Sequence, residues 1–122
     1  MISEYLSKRL KSFGYAFQGI RTLLFTQAHA SLHLLATVLI VSVGMYLGFS
    51  RWEWTAILLC IGLVWMAEAF NTALEFLADE VSLEQRSRIG KAKDVAAGGV
   101  LITALVSVGV AAVILTGHLL HH

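Results

Sequence analysis

The segment Glu68–Asp79, reading E-A-F-N-T-A-L-E-F-L-A-D, closes an otherwise apolar run and puts two carboxylates and an amide, Glu68, Asn71 and Glu75, inside it or at its end. At about 100° per residue, Glu68, Asn71, Thr72, Glu75 and Asp79 fall within roughly a quarter of a helix circumference and form one polar stripe. A carboxylate at membrane depth costs on the order of 3 kcal/mol by insertion scales, and residues of this kind face a partner or a water-filled site. The stripe is therefore a functional candidate, and what surrounds it decides the class of protein.

Those surroundings are apolar. The chain has 122 residues, 57% of them hydrophobic, and no proline. That is too apolar for an ordinary soluble domain and too short for two domains, so residues 1–122 read as one small all-α integral membrane protein. Three runs have the roughly 20 mostly apolar residues that a bilayer crossing needs: 32–49, 54–77 and 95–115. The first carries His33 but no Asp, Glu, Lys or Arg and the third carries no titratable group, whereas Glu68 and Glu75 interrupt the second. Cys60, the sole cysteine, lies in an apolar run and reads as a structural thiol, since a single cysteine excludes an intrachain disulfide and a CxxC metal site. No signal-peptide cleavage pattern follows the first apolar run, so the N-terminus is expected to be retained.

Upstream, in residues 1–29, Ile2, Leu6, Leu10, Phe13, Phe17, Ile20 and Leu24 recur at steps of three and four, with Lys8, Lys11 and Arg21 off that stripe. Such a helix lies flat in the headgroup layer with its apolar side down, packing against the bundle being the alternative arrangement. Lys8, Arg9, Lys11 and Arg21 precede the first span, and Arg86, Arg88, Lys91 and Lys93 crowd the loop 78–94. The connection between the first two spans offers only Arg51. The positive-inside rule then predicts a cytoplasmic N-terminus, a cytoplasmic second loop and an external C-terminus, with Trp52 and Trp54 in the external aromatic belt. At about 1.5 Å per residue from Trp54, Glu68 lies roughly 21 Å along its span and Glu75 roughly 31 Å, so both approach the cytoplasmic boundary. Along the third span Gly99, Thr103, Ser107 and Ala111 repeat every four residues, a ridge that lets helices approach closely in lipid. Three helices do not readily enclose a polar site alone, and an oligomer follows.

Two carboxylates seven residues apart at a membrane boundary suit a proton relay or a divalent cation, since hard cations such as Mg²⁺ take carboxylate oxygen and water. The adjoining loop adds Glu84, Arg86, Lys91, Lys93 and Asp94, a mixture of cations and acids suited to a metal–nucleotide complex. On the residues alone an ATP or phosphate site, a proton or ion pathway and a structural polar network all stay open. Neither the G-x-x-x-x-G-K-[ST] loop nor the protein-kinase signature is present.

The E-x-x-N-T-A-x-E-x-x-x-D pattern of Glu68 to Asp79, followed by K-A-K-D-V-A-A-G at Lys91 to Gly98, resembles the prokaryotic diacylglycerol kinase and undecaprenol kinase family. Length, three spans and the amphipathic start are similar too. The resemblance implies a homotrimer in the bacterial inner (cytoplasmic) membrane, with active sites between subunits that transfer the γ-phosphate of Mg-ATP to a lipid hydroxyl. No nucleic-acid partner is expected. By match to the family motif, Glu68 is the base that accepts the hydroxyl proton, Glu75 a metal ligand and Asn71 an orienting neighbour, with Asp79 beside them. Lys93 and Asp94 match the nucleotide-contacting pair, Glu84 and Arg86 fall where the loop reaches the nucleotide, and Lys8 and Tyr15 match positions on the surface helix.

One position departs from the family. Eight residues after Gly19, where the family places a metal-holding glutamate, this chain has Gln27, whose amide oxygen brings no charge. Weakened metal binding or turnover is expected, or compensation by Asp79, Asp94 or a water. The Q-A-H-A-S-L-H segment at residues 27–33 resembles the E-x-N-x-x-I-H of the undecaprenol kinase branch, with His33 at its histidine, which tilts the substrate toward a polyprenol. His29 and His33 are four apart but lack an accompanying H-E-x-x-H, and His118, His121 and His122 are assigned no function. The rival class is a small proton or ion transporter carrying its charge on Glu68. Such proteins keep that carboxylate near the midplane and show repeat symmetry, neither of which is evident. A low-activity relative, owing to Gln27, is the third reading.

Overall fold

The computed structural model describes residues 1–82, 84 and 86–121. Leu83, Gln85 and the terminal His122 lie outside the described residues. The chain forms four helices, α1 (Ile2–Thr26), α2 (Ala28–Leu47), α3 (Arg51–Val81) and α4 (Ser87–Leu120). The last three are long and apolar enough to cross a membrane.

α1 stops earlier than the amphipathic pattern of residues 1–29. Gln27 alone adopts an extended conformation, φ −112° and ψ 124°, and serves as C-cap of α1 and N-cap of α2. One extended residue breaks the helical ladder and lets the two helices point in different directions. Ile2, Leu6, Leu10, Phe13, Phe17 and Ile20 all stay exposed, and only Leu23 of α1 is buried. The helices of this chain do not cover the apolar stripe, which stays available to a membrane surface.

α2 ends at Gly48, whose φ of +74° is the left-handed conformation a glycine tolerates, with its N–H donating to Gly44 O. Ser50 and Glu53 then form a capping box at the start of α3, Glu53 N–H donating to Ser50 Oγ and Ser50 N–H to Glu53 Oε1. Here the structure turns Trp54 inward, half-buried against Phe49, with only Trp52 of the expected aromatic belt fully outward. A Cβ at Gly44 would lie 2.7 Å from Phe49 Cδ2 and from Trp54 Cη2. Gly44→Ala is therefore expected to destabilise the fold by about 1–3 kcal/mol through overpacking, whereas Gly14→Ala on exposed α1 should be neutral or mildly stabilising. Thermal unfolding of both variants in micelles measures the difference.

α3 packs most extensively on α4. Its inward face carries Ile57, Val64, Glu68, Thr72 and Ala78, all buried. The ridge Gly99, Thr103, Ser107 and Ala111 is half-buried, the close-packing role its small side chains permit. Only 33% of the most apolar window of α3 is buried, and less of α2 and α4, so most of the apolar surface of these helices is left uncovered by the chain itself. Residues 78–94 differ from the loop expected there: α3 continues to Val81 and α4 begins at Ser87, leaving a connection of residues 82–86. Charged residues end a hydrophobic run, but without proline or a capping signal they do not end a helix.

Candidate functional site

Glu68, with 2% exposure, is the most deeply buried charged residue described. It sits on the inward face of α3 because the stripe's periodicity aligns it with Val64 and Thr72, and the side chain that meets it comes from α2. His33 Nε2 lies 3.5 Å from Glu68 Oε2. The imidazole is braced edge-on against Trp65, with ring centroids 6.1 Å apart. Trp65 Nε1–H donates to Thr37 Oγ1 at 3.1 Å, and the Thr37 hydroxyl donates to His33 O at 2.7 Å. Three contacts thus join α2 to α3: an aromatic pair, a hydrogen bond and an acid–imidazole approach. His33, Thr37, Ile40, Ile57, Val64 and Ser107 help line an apolar cleft of about 420 Å³ between α2, α3 and α4. Half-buried Cys60 lines it too, as a free thiol.

Further along α3 the polar stripe opens toward water. Thr72 is buried and Asn71 and Glu75 half-buried, while Asp79 is exposed. Asn71 Oδ1 and Thr72 Oγ1 are buried without a hydrogen-bond partner. A buried unpaired acceptor costs about 1–3 kcal/mol, so these two oxygens mark a place where another group is wanted. Asp79 accepts a hydrogen bond from Lys93 Nζ at 2.8 Å, tying the end of α3 to the start of α4. Lys93 also lines a polar cavity of about 510 Å³ with Glu84, Arg86, Ser82, Ser87 and Gly90. Asp94, next in sequence, is exposed.

The structure therefore brings the expected residues together in two groups, Glu68 with His33 in the apolar interior and Asp79, Lys93, Glu84 and Arg86 around the charged connection. Lys8 and Tyr15 stay exposed on α1, and no hydrogen bond or ion pair among the described residues joins them to either group. Gln27 is half-buried at the α1–α2 joint, its amide nitrogen donating to Thr26 Oγ1 at 3.4 Å.

Among the described residues, no three His, Cys, Asp or Glu side chains converge as a metal cage. Mg²⁺ does not require one, because it takes one or two carboxylates and completes its octahedron with waters and substrate phosphates. Glu75 and the partnerless Asn71 Oδ1 one turn before it are hard oxygen donors of the right kind, and no hydrogen bond or ion pair among the described residues joins Gln27 to them. The donor set fits a cation delivered with a polyphosphate and does not fit a resident metal held by protein alone.

Two pairings were not apparent in the sequence. His33 was singled out, but its contact with Glu68 depends on the rotation of α2 against α3, which hydropathy does not encode. At the opposite end His118 Nε2 lies 3.0 Å from both carboxylate oxygens of Glu53, and its ring is tilted against Phe49 at 5.4 Å. The signal was there in an acid at the start of one span and a histidine at the end of another, which an antiparallel pair brings level.

The sequence matches the family described as Prokaryotic diacylglycerol kinase over residues 14–115. It is 32% identical over 102 residues to an undecaprenol kinase of Bacillus subtilis (strain 168), covering 84% of this chain and 83% of the relative. It is 27% identical over 109 residues to a diacylglycerol kinase of Escherichia coli (strain K12), covering 89% of each. A diacylglycerol kinase of Synechocystis sp. is 32% identical over 100 residues, 81% of this chain and 57% of the relative.

Proposed function

This chain belongs to the prokaryotic diacylglycerol kinase family, and from that premise we propose that it is a lipid kinase moving the γ-phosphoryl group of ATP to the hydroxyl of a membrane lipid alcohol. Undecaprenol is the first candidate and diacylglycerol the second. The observation that carries the reading is Glu68, a carboxylate with 2% exposure whose neighbour His33 lines an apolar cleft, two helical turns before Glu75 and the water-facing charges. A lipid alcohol is the substrate that brings a hydroxyl to such a depth.

In this mechanism ionised Glu68 accepts the proton of the alcohol O–H as the alcohol oxygen bonds to the γ-phosphorus and the bond to the ADP oxygen breaks. Asn71 orients the reacting groups, Lys93 with Asp94, Glu84 and Arg86 holds the nucleotide, and Lys8 and Tyr15 approach it from α1. Phosphoryl transfer through a loose transition state asks the protein for positioning and charge neutralisation more than for covalent help. Glu75 with Gln27 would hold Mg²⁺, which when bound offsets negative charge on the phosphates.

The tilt to undecaprenol rests on the Q-A-H-A-S-L-H segment and on similarity to a relative of that name. A homotrimer is supported by the outward apolar surface of all three spans. The basic residues of α1 and of the α3–α4 connection support an inner-membrane protein with its N-terminus in the cytoplasm. ATP consumption and phospholipid formation in micelles, with undecaprenol and diacylglycerol side by side, test the proposal. ATP turnover that neither alcohol stimulates would sink it.

Gln27 gives a further expected result. Gln27→Glu should lower the Mg²⁺ concentration for half-maximal ATP turnover on the order of tenfold, the lower end of what partners of a metal site contribute. A Mg²⁺ titration of both proteins measures it, and an unchanged midpoint removes residue 27 from the metal site.

A further inference from the structure

We infer that His33 is a positioning residue for Glu68, holding one carboxylate oxygen so that the other faces the lipid hydroxyl. The inference rests on the kinase reading above. A buried carboxylate with no partner would swing between rotamers and carry a large desolvation cost. Here one oxygen, Oε2, has the His33 imidazole at 3.5 Å, an ion-pair approach, and the remaining oxygen has no hydrogen bond or ion pair among the described residues. That division of labour is what a general base needs: one oxygen fixed, one free for the proton. A separation of 3.5 Å lies beyond the usual hydrogen-bond range, and contacts around catalytic groups often tighten only when substrate binds.

The imidazole is itself held. Trp65 supports its ring from α3, and the Trp65–Thr37–His33 hydrogen-bond chain fixes the backbone turn that carries it. His33 is one of the few polar groups on the apolar cleft, so its burial is costly unless it serves its neighbour. His29, one turn earlier, is exposed and shares none of these contacts.

The test compares His33→Gln, which keeps an N–H donor near the position of Nε2, with His33→Leu, which keeps the volume alone. His33→Leu is expected to lower kcat for lipid phosphorylation roughly 100-fold, the scale of a misplaced catalytic group, with KM for ATP unchanged. His33→Gln should recover most of that loss. Independently of activity, imidazole ¹⁵N spectra of the full-length protein in micelles, with His33 assigned by its absence in His33→Gln, should shift for His33 in Glu68→Gln. Wild-type turnover in His33→Leu, or equal losses in both His33 variants, overturns the inference, as does a His33 signal that ignores Glu68→Gln. If the wild-type protein phosphorylates no lipid alcohol, the kinase reading fails by itself, and the ¹⁵N comparison still decides whether His33 holds Glu68.

Discussion

Glu68→Gln is expected to lower kcat for lipid phosphorylation by about 10²–10⁴-fold, the contribution of a positioned general base. Glutamine keeps the size of the side chain and a carbonyl oxygen, but it has no basic site for the alcohol proton. Because the carboxylate has 2% exposure, the substitution removes a buried charge instead of creating one, so folding should be preserved or improved. KM for ATP should change little, since the charges proposed to meet the nucleotide lie two or more helical turns away on α3 and beyond. Coupled ATP consumption, phospholipid formation and thermal unfolding in micelles separate these effects. A variant as active as wild type would take the base role from Glu68. Proton flux through liposomes without ATP use, lost in the same variant, would favour the transporter reading instead.

The polar stripe was legible because helical periodicity is strict. Once Glu68 is buried, Thr72 one turn on must be buried too, and Asp79 three turns on must reach the end of the span. The three spans were legible because hydrocarbon thickness fixes a minimum apolar length. Their ends were not. Outside the hydrocarbon a helix stops where its backbone finds caps, and the chain offers few: the Gly48 turn, the Ser50–Glu53 box and the single extended Gln27. Hence α4 starts at Ser87, well before its apolar stretch, and Lys93 and Asp94 are helical. Pairings between helices were the least legible part. His33 with Glu68 depends on how two helices are rotated against each other. Asp79 and Lys93 were both read as site residues, yet their direct ion pair needed the short α3–α4 connection to be seen.

That ion pair sets up the second large effect, a fall in kcat of about 10²–10³-fold for Lys93→Met, the usual consequence of losing one donor aimed at developing charge. Lysine presents a compact, mobile point charge suited to phosphate oxygens. Lys93 lines the polar cavity with Arg86, and Asp79 holds its ammonium at 2.8 Å. Both partners are substantially exposed, and exposed ion pairs contribute little to stability, so a purely structural role predicts near-normal activity for either half of the pair removed. If Lys93 meets the nucleotide, the two halves behave unequally. Lys93→Met loses the charge that phosphate needs, whereas Asp79→Asn keeps the charge and loses only its tether. The measurement is kcat and KM for ATP in both variants beside their unfolding temperatures. Equal, small losses would reduce the pair to a clasp between α3 and α4. A large loss confined to Lys93→Met at unchanged unfolding temperature ties the charge to the transferred phosphoryl group, because a clasp is weakened as much by losing its acid as by losing its base.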